Sequence, residues 1–276
     1  MNYLSKLLPL GLIGMSAIAT TASAATFFSD DFEEYTAGAA IPLGSEEIWR
    51  EAKVVGEVVF DAENDTGHYF SSESNKYAVL SQVDGTGQGL ASATGFSGTT
   101  TGQMNFSFYD PSSDTSDWLM RISGNAWGGN GNTLWGLFMQ NGTLYVGSGQ
   151  YVSPGAQIGT YQQDTAYTIS IVFNNSDSTL NYDGGSVASQ MMDVYLNGEL
   201  IGDDLASTGN IGTGTTVQNI NFASKVNSPG TIYLDDISLD SNISIPEPST
   251  MSALAVGLGI MCLAIGRRMK LFGRRS

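Results

Sequence analysis

Nucleophilic catalysis by serine or cysteine needs an imidazole base within reach of the nucleophile. The chain has one histidine, His68, at the end of the acidic run Asp61-Ala62-Glu63-Asn64-Asp65-Thr66-Gly67. Its one cysteine, Cys262, sits in an apolar run near the C-terminus. His68 therefore reads as a solvated loop residue, and neither a Ser-His-Asp nor a Cys-His site is expected. A zinc centre built from several imidazoles or thiolates is excluded by the same counts. Carboxylates are plentiful, densest at Asp30-Asp31-Phe32-Glu33, at Glu46-Glu47 with Glu51, at 61–65 and at Asp235-Asp236. Hard cations such as calcium take several oxygens of this kind from loops. The 61–65 run alternates oxygen-bearing side chains but lacks the glycine and closing glutamate of an EF-hand loop. Sugars are bound by exposed aromatic faces. Trp127 lies in Asn125-Ala126-Trp127-Gly128-Gly129-Asn130-Gly131, a stretch too glycine-rich for a core. It is expected either to contact carbohydrate or to anchor its loop. Tyr109, Tyr145, Tyr151 and Tyr161 would extend the stacking surface, whereas Trp49, Trp118 and Trp135 are expected in the core.

The elements that must position these residues are strands. Between 25 and 244 no stretch has helical periodicity, and glycine and polar turn residues punctuate short alternating runs. Met104, Phe106 and Phe108 alternate with Asn105, Ser107 and Tyr109, so one face is buried. Trp118, Met120 and Ile122 behave likewise, as do Tyr167, Ile169, Ile171 and Phe173. Asn141-Gly142 and Asn197-Gly198 each separate two such runs, and Asn-Gly supplies the positive φ of a type I′ hairpin turn. A first strand is expected at 26–33. The closing strand at 231–240 is expected to place Tyr233, Asp235, Ile237 and Leu239 on one face and Ile232, Leu234, Asp236 and Ser238 on the other. About a dozen half-buried strands pack naturally as two antiparallel sheets.

The two ends read differently. Lys6, an apolar run at 7–19 and Ala22-Ser23-Ala24 have the pattern of a secretory signal peptide over 1–24. Residues 251–265 form a 15-residue apolar run, at the short limit for crossing a bilayer. Five of the eleven basic residues follow it, which orients that end toward the cytoplasm. All 27 acidic residues lie between Asp30 and Glu247 with only five basic ones, a net charge of −22 for that segment. Such a surface repels nucleic acid and anionic lipid. With its single cysteine at position 262, the segment carries no disulfide, and a domain of about 220 residues can stand on its core alone.

Pro246, Glu247, Pro248, Ser249, Thr250, Gly257 and Arg267-Arg268 resemble the PEP-CTERM sorting signal. The resemblance implies a sorting signal over 246–276, with a transmembrane helix at 249–265 and a basic membrane stop at Arg267 and Arg268. It also implies an exosortase-type membrane protease as partner, transient anchoring in the inner membrane, and delivery to the cell surface or the extracellular polysaccharide matrix. A plain C-terminal anchor is the alternative. Residues 241–245 are then the linker to the preceding domain.

The Asp-Asp-Phe-Glu strand, the Tyr35-Thr36-Ala37-Gly38 turn, the two Asn-Gly hairpins and the closing Tyr-Leu-Asp-Asp-Ile-Ser-Leu strand resemble the concanavalin A-like (laminin G-like) domains. An antiparallel jelly-roll β-sandwich over 25–240 is thereby implied. In many such modules the first and last strands share a structural calcium, which the resemblance places on Glu33 and Asp235, with Asp31 and Asp236 as alternates. The alternative is that Asp235 and Asp236 keep an edge strand from aggregating. Jelly-roll glucanases carry Glu-x-Asp-x-x-Glu on one strand. No such run is present, and Asp193 has no acids at i+2 and i+4, so no enzyme is expected. The expected function is a structural or adhesive role in an exopolysaccharide matrix. A carbohydrate-binding, lectin-like module is the first alternative and a polysaccharide hydrolase the second.

Overall fold

The structure, a computed structural model, describes residues 25–245 apart from 53–57, 84–89, 114–116, 127–129, 149–152, 208, 210 and 225–227. The expected signal peptide, Trp127, Tyr151, Pro246, Glu247, Pro248, the transmembrane helix, Arg267 and Arg268 lie outside the described residues. Among the described residues no helix is long and apolar enough to cross a membrane.

Strands dominate the described chain. They are β1 (Thr26–Asp30), β2 (Ala39–Ala40), β3 (Trp49–Ala52), β4 (Val58–Asn64), β5 (Lys76–Gln82) and β6 (Leu90–Ala93). Then come β7 (Thr101–Tyr109), β8 (Asp117–Ser123), β9 (Thr133–Gln140), β10 (Thr143–Ser148), β11 (Ser153–Thr160) and β12 (Ala166–Asn174). The last six are β13 (Leu180–Tyr182), β14 (Gly185–Val187), β15 (Met191–Leu196), β16 (Glu199–Ala206), β17 (Asn219–Ser224) and β18 (Gly230–Asp240). A nine-stranded sheet runs β16-β15-β12-β7-β18-β5-β4-β2, with β1 joining β18 beyond β5. A seven-stranded sheet runs β11-β10-β9-β8-β17-β6-β3. The strand pairs of both sheets are antiparallel, and β13-β14 is a separate hairpin.

Alternation explains the packing. Met104, Phe106 and Phe108 of β7, Ile169, Ile171 and Phe173 of β12, and Ile232 and Leu234 of β18 turn one way. They meet Trp118, Met120 and Ile122 of β8, Trp135, Leu137 and Met139 of β9, and Phe222 of β17 in one core. Ring pairs bridge the sheets at Phe106–Phe222 (5.2 Å), Trp135–Phe173 (5.7 Å) and Trp49–Phe60 (5.2 Å). The result is an all-β, antiparallel sandwich. Trp49, Trp118 and Trp135 are buried, as expected. Both Asn-Gly turns are formed, with positive φ at Asn141, Gly142, Asn197 and Gly198.

Two expectations are corrected. The first strand stops at Asp30, because Asp30 Oδ1 accepts the Phe32 N–H (2.9 Å) and Phe32 turns to φ 59°. In β18, Asp235 pairs with Ser107 and Ser238 with Asn105, so β18 has one residue more than β7 over that interval. That bulge sits at Asp236, whose φ is 49°, a left-handed value Asp tolerates better than most residues. Ile237 and Leu239 consequently join Ile232 and Leu234 inside, while Tyr233, Asp235, Ser238 and Asp240 face away from the core.

Candidate functional site

The outer face of the nine-stranded sheet is largely polar but only partly open: Gln103, Ser107, Ser170, Val172 and Asp235 are buried, while Asn105, Tyr109, Thr168, Tyr233, Ser238 and Asp240 are half-buried. Its central strand β7 presents Gln103, Asn105, Ser107 and Tyr109. The register places Ala166, Thr168, Ser170 and Val172 beside them on β12, and Tyr233, Asp235, Ser238 and Asp240 on β18. Neighbouring side chains are joined by hydrogen bonds. Ser107 Oγ lies 3.0 Å from Thr168 Oγ1, Asn105 Nδ2 donates to Ser238 Oγ (3.2 Å), and Gln103 Nε2 donates to Asn105 Oδ1 (2.6 Å).

Tyrosines close one end of this face. Tyr109 and Tyr233 stack at 5.5 Å with ring planes 9° apart. Tyr69 lies over both, at 4.5 Å from Tyr109 and 5.2 Å from Tyr233, and Tyr77 is 4.9 Å from Tyr233. Phe70 touches Tyr77 at 5.7 Å. Tyr69 and Phe70 come from a loop, and Asp65 holds that loop. This buried carboxylate accepts the N–H groups of Tyr69 (2.7 Å), Phe70 (2.9 Å) and Ser71 (2.8 Å). The acidic run at 61–65 thus contributes a loop fastener. His68 is exposed, 3.8 Å from Glu73. Burial, the Asp164 carboxylate and Tyr69 push the Tyr109 phenol up to about 12, and burial with Tyr233 and Tyr69 raises that of Tyr77. Both stay protonated at neutral pH, so their hydroxyls donate and accept.

The other end is framed by two overhanging segments. Gln103 clamps the chain after β18: Ser244 N–H donates to Gln103 Oε1 (2.7 Å), and Gln103 Nε2 donates to the Ser244 carbonyl (3.1 Å). Gln103, Asn105, Asp240, Asn242 and Ser244 line an open depression of about 280 Å³. Beside it, β13-β14 is fixed onto β15. The Tyr182 hydroxyl donates to Asp193 Oδ2 (2.6 Å) and lies 2.6 Å from the Tyr195 hydroxyl. Asp193 Oδ1 accepts the Asp204 N–H (2.8 Å). Burial raises the Asp193 pKa. Both oxygens of Asp193 are thus engaged in fastening the hairpin and β16.

Asp31, Glu33, Asp235 and Asp236, the sequence-predicted calcium residues, stand close enough to feel one another's charge, where the turn after β1 approaches the β18 bulge. Asp235 Oδ1 accepts the Asp236 N–H (2.8 Å), and its Oδ2 accepts Asn75 Nδ2 (2.9 Å). Glu33 Oε1 accepts the Lys76 N–H (2.9 Å), and Asp31 Oδ1 accepts the Glu33 N–H (3.2 Å). Burial pushes Asp235 up to about 7, and the charges of Asp236 and Glu33 add to that. Asp236 is raised by burial, Asp31 and Glu33. No group of three or more His, Cys, Asp or Glu side chains among the described residues is arranged to hold a metal ion. The arrangement does not fit a calcium shell as it stands, and an ion here would have to displace these N–H donors.

Sequence reasoning passed over Asp30. It is buried and accepts Trp49 Nε1–H (2.6 Å), the Tyr35 hydroxyl (2.9 Å) and the Phe32 N–H. A signal was present: Asp30 stands two residues after Phe28, so alternation turns it inward with Phe28 while Asp31 faces out. Among the expected stacking residues, Tyr109 belongs to the tyrosine cluster. Tyr161 is buried, its hydroxyl donating to Asp110 Oδ2 (2.6 Å), and Tyr145 packs on Leu119 and Phe138 of the other sheet.

No protein-family model and no curated protein matches the sequence. Among solved structures, the chain is similar to the T. cruzi calreticulin globular domain (10% identity, TM-score 0.49, covering 91% of this chain and 100% of that one). It is also similar to the carbohydrate esterase vb_24B_21 from Shiga toxin-encoding bacteriophage phi24B (12%, TM-score 0.48, 80% and 100%). A third is the cellulose induced protein Cip1 (13%, TM-score 0.46, 78% and 97%). At these values the likeness carries no argument about ligand or activity, and the fold rests on the strand order and register described above.

Proposed function

We propose that this chain is a non-catalytic, polysaccharide-binding sandwich of the jelly-roll, concanavalin A-like type that acts as an adhesive component of an exopolysaccharide matrix. The observation that carries the reading is the cluster of Tyr69, Tyr77, Tyr109 and Tyr233 beside a floor of hydroxyl and amide side chains. Sugar rings offer C–H faces that pack on aromatic rings and hydroxyls that pair with Ser, Thr, Asn and Gln. Along β7 the half-buried Asn105 and Tyr109 stand about 13 Å apart, which suits a short run of sugars better than one ring. This geometry supports the carbohydrate-binding alternative for the domain.

Calorimetric titration of the purified protein with oligosaccharides is the test. Tyr109→Ala combined with Tyr233→Ala is expected to weaken binding about tenfold or more. Trp127→Ala should weaken it less. Binding that ignores the tyrosine pair and is lost with Trp127→Ala would move the site to the 125–131 loop. Release of reducing ends would return the hydrolase reading.

The destination rests on the tail. The PEP-CTERM reading has residues 246–276 recognised by an exosortase-type protease, with transient anchoring in the inner membrane and release to the surface. The intact mass of the protein recovered from the cell surface is expected to lack residues 1–24 and the segment after the Pro246-Glu247-Pro248 motif. A mass retaining 246–276 would show a plain anchor.

A further inference from the structure

Among the described residues, the charged side chains on the outer face around the tyrosines are carboxylates. Asp164, exposed and held ionised by its Ser112 hydrogen bonds, lies 3.4 Å from the Tyr109 hydroxyl. Asp240 lines the depression at the other end. Asp61 and Glu63 extend the acidic margin on β4. Among the described residues, the strands of this sheet carry one basic residue, Lys76, whose Nζ donates to the Glu33 carbonyl. Arg50 and Arg121 both belong to the opposite sheet, on β3 and β8.

Carboxylate-bearing sugars would meet only repulsion here. An ammonium group would meet carboxylates at the rim and the negative faces of tyrosine rings at the centre, a pairing in which cation–π and ionic attraction act together. We infer that the face takes an amino-sugar polymer bearing free ammonium groups, in preference to neutral or uronate polymers. This inference rests on the polysaccharide reading above and names the class of polymer.

The experiment compares three hexamers by calorimetry on the purified protein: glucosamine, N-acetylglucosamine and galacturonate. At low salt the glucosamine hexamer is expected to bind about fivefold or more tightly than its N-acetylated counterpart, with no binding of galacturonate. Raising salt to about 0.5 M should shrink that preference, since screening acts on exposed charges. Asp164→Asn and Asp240→Asn, both away from the core, should narrow the preference for glucosamine over N-acetylglucosamine. Equal or better binding of the acetylated hexamer, lost in the Tyr109→Ala, Tyr233→Ala variant, overturns the ammonium inference and keeps the polysaccharide reading. Glucosamine binding that survives the tyrosine substitutions is unspecific attraction to an acidic protein and also overturns it. If no hexamer binds, both readings fall.

Discussion

Asp30→Ala is expected to lower the unfolding free energy by about 3 kcal/mol, read from urea denaturation followed by tryptophan fluorescence. The carboxylate accepts three hydrogen bonds at the point where the sheets close around Trp49. Removing it strands the Trp49 indole N–H in a fully buried position and frees the Tyr35 hydroxyl and the Phe32 N–H. Each buried unsatisfied donor costs about 1–3 kcal/mol, partly offset because a carboxylate that burial disfavours is gone. The effect should spread, since Trp49 packs against Phe28, Phe32 and Phe60. Asp30→Asn keeps one acceptor oxygen but turns an amide N–H toward donors, so it should cost about 2 kcal/mol. A loss below about 1 kcal/mol for the alanine variant would mean that other contacts position the turn after β1.

The contrast between Asp30 and Asp31 shows where the sequence was legible. Alternation from Phe28 decides which of the two adjacent acids turns inward, and it decides the faces of β7 and β12 equally well. The Asn-Gly turns are legible because two consecutive positive φ values need those residue types. Alternation fails in β18, where one inserted residue at Asp236 moves Ile237 and Leu239 to the other face. Local pattern also leaves β6 unannounced, since Leu-Ala-Ser-Ala carries little apolar contrast, and β11, where Pro154 and Gly155 suit an edge strand rather than a central one. The tyrosine cluster was legible only in part. Tyr109 and Tyr233 each face outward by alternation once the bulge is known, but their adjacency comes from strand order, and Tyr69 reaches them through a loop fastened by Asp65. Those are long-range facts that no window of sequence contains.

The same bulge makes the acid corner sensitive to pH. Asp235 is 1% exposed, and burial with two neighbouring carboxylates lifts its folded-state pKa to about 7, against about 3.9 in an unfolded chain. The folded state therefore binds the proton more tightly than the unfolded one. Stability is lowest above pH 7, rises as pH falls through 7, and the gain is complete only below the unfolded value. Asp30, Asp193 and Asp236 are shifted in the same direction, so they add to the trend. From pH 8 to pH 5 in chelator-containing buffer, Asp235 alone should add about 2 kcal/mol, with a Tm higher by several degrees. Asp235→Asn should flatten much of that slope, because the amide is neutral at both pH values and still accepts from the Asp236 N–H. An unchanged slope in that variant would assign the acid stabilisation to general relief of the −22 charge. Calcium would compete for the same oxygens as the proton, so any effect of the ion is expected in the opposite pH range. Millimolar calcium that raises Tm at pH 8 as much as acid does, and has little effect at pH 5, would place the ion on Asp31, Glu33, Asp235 and Asp236. A Tm at pH 8 that ignores both calcium and chelator removes calcium from this corner and leaves the proton as the species that relieves the repulsion there.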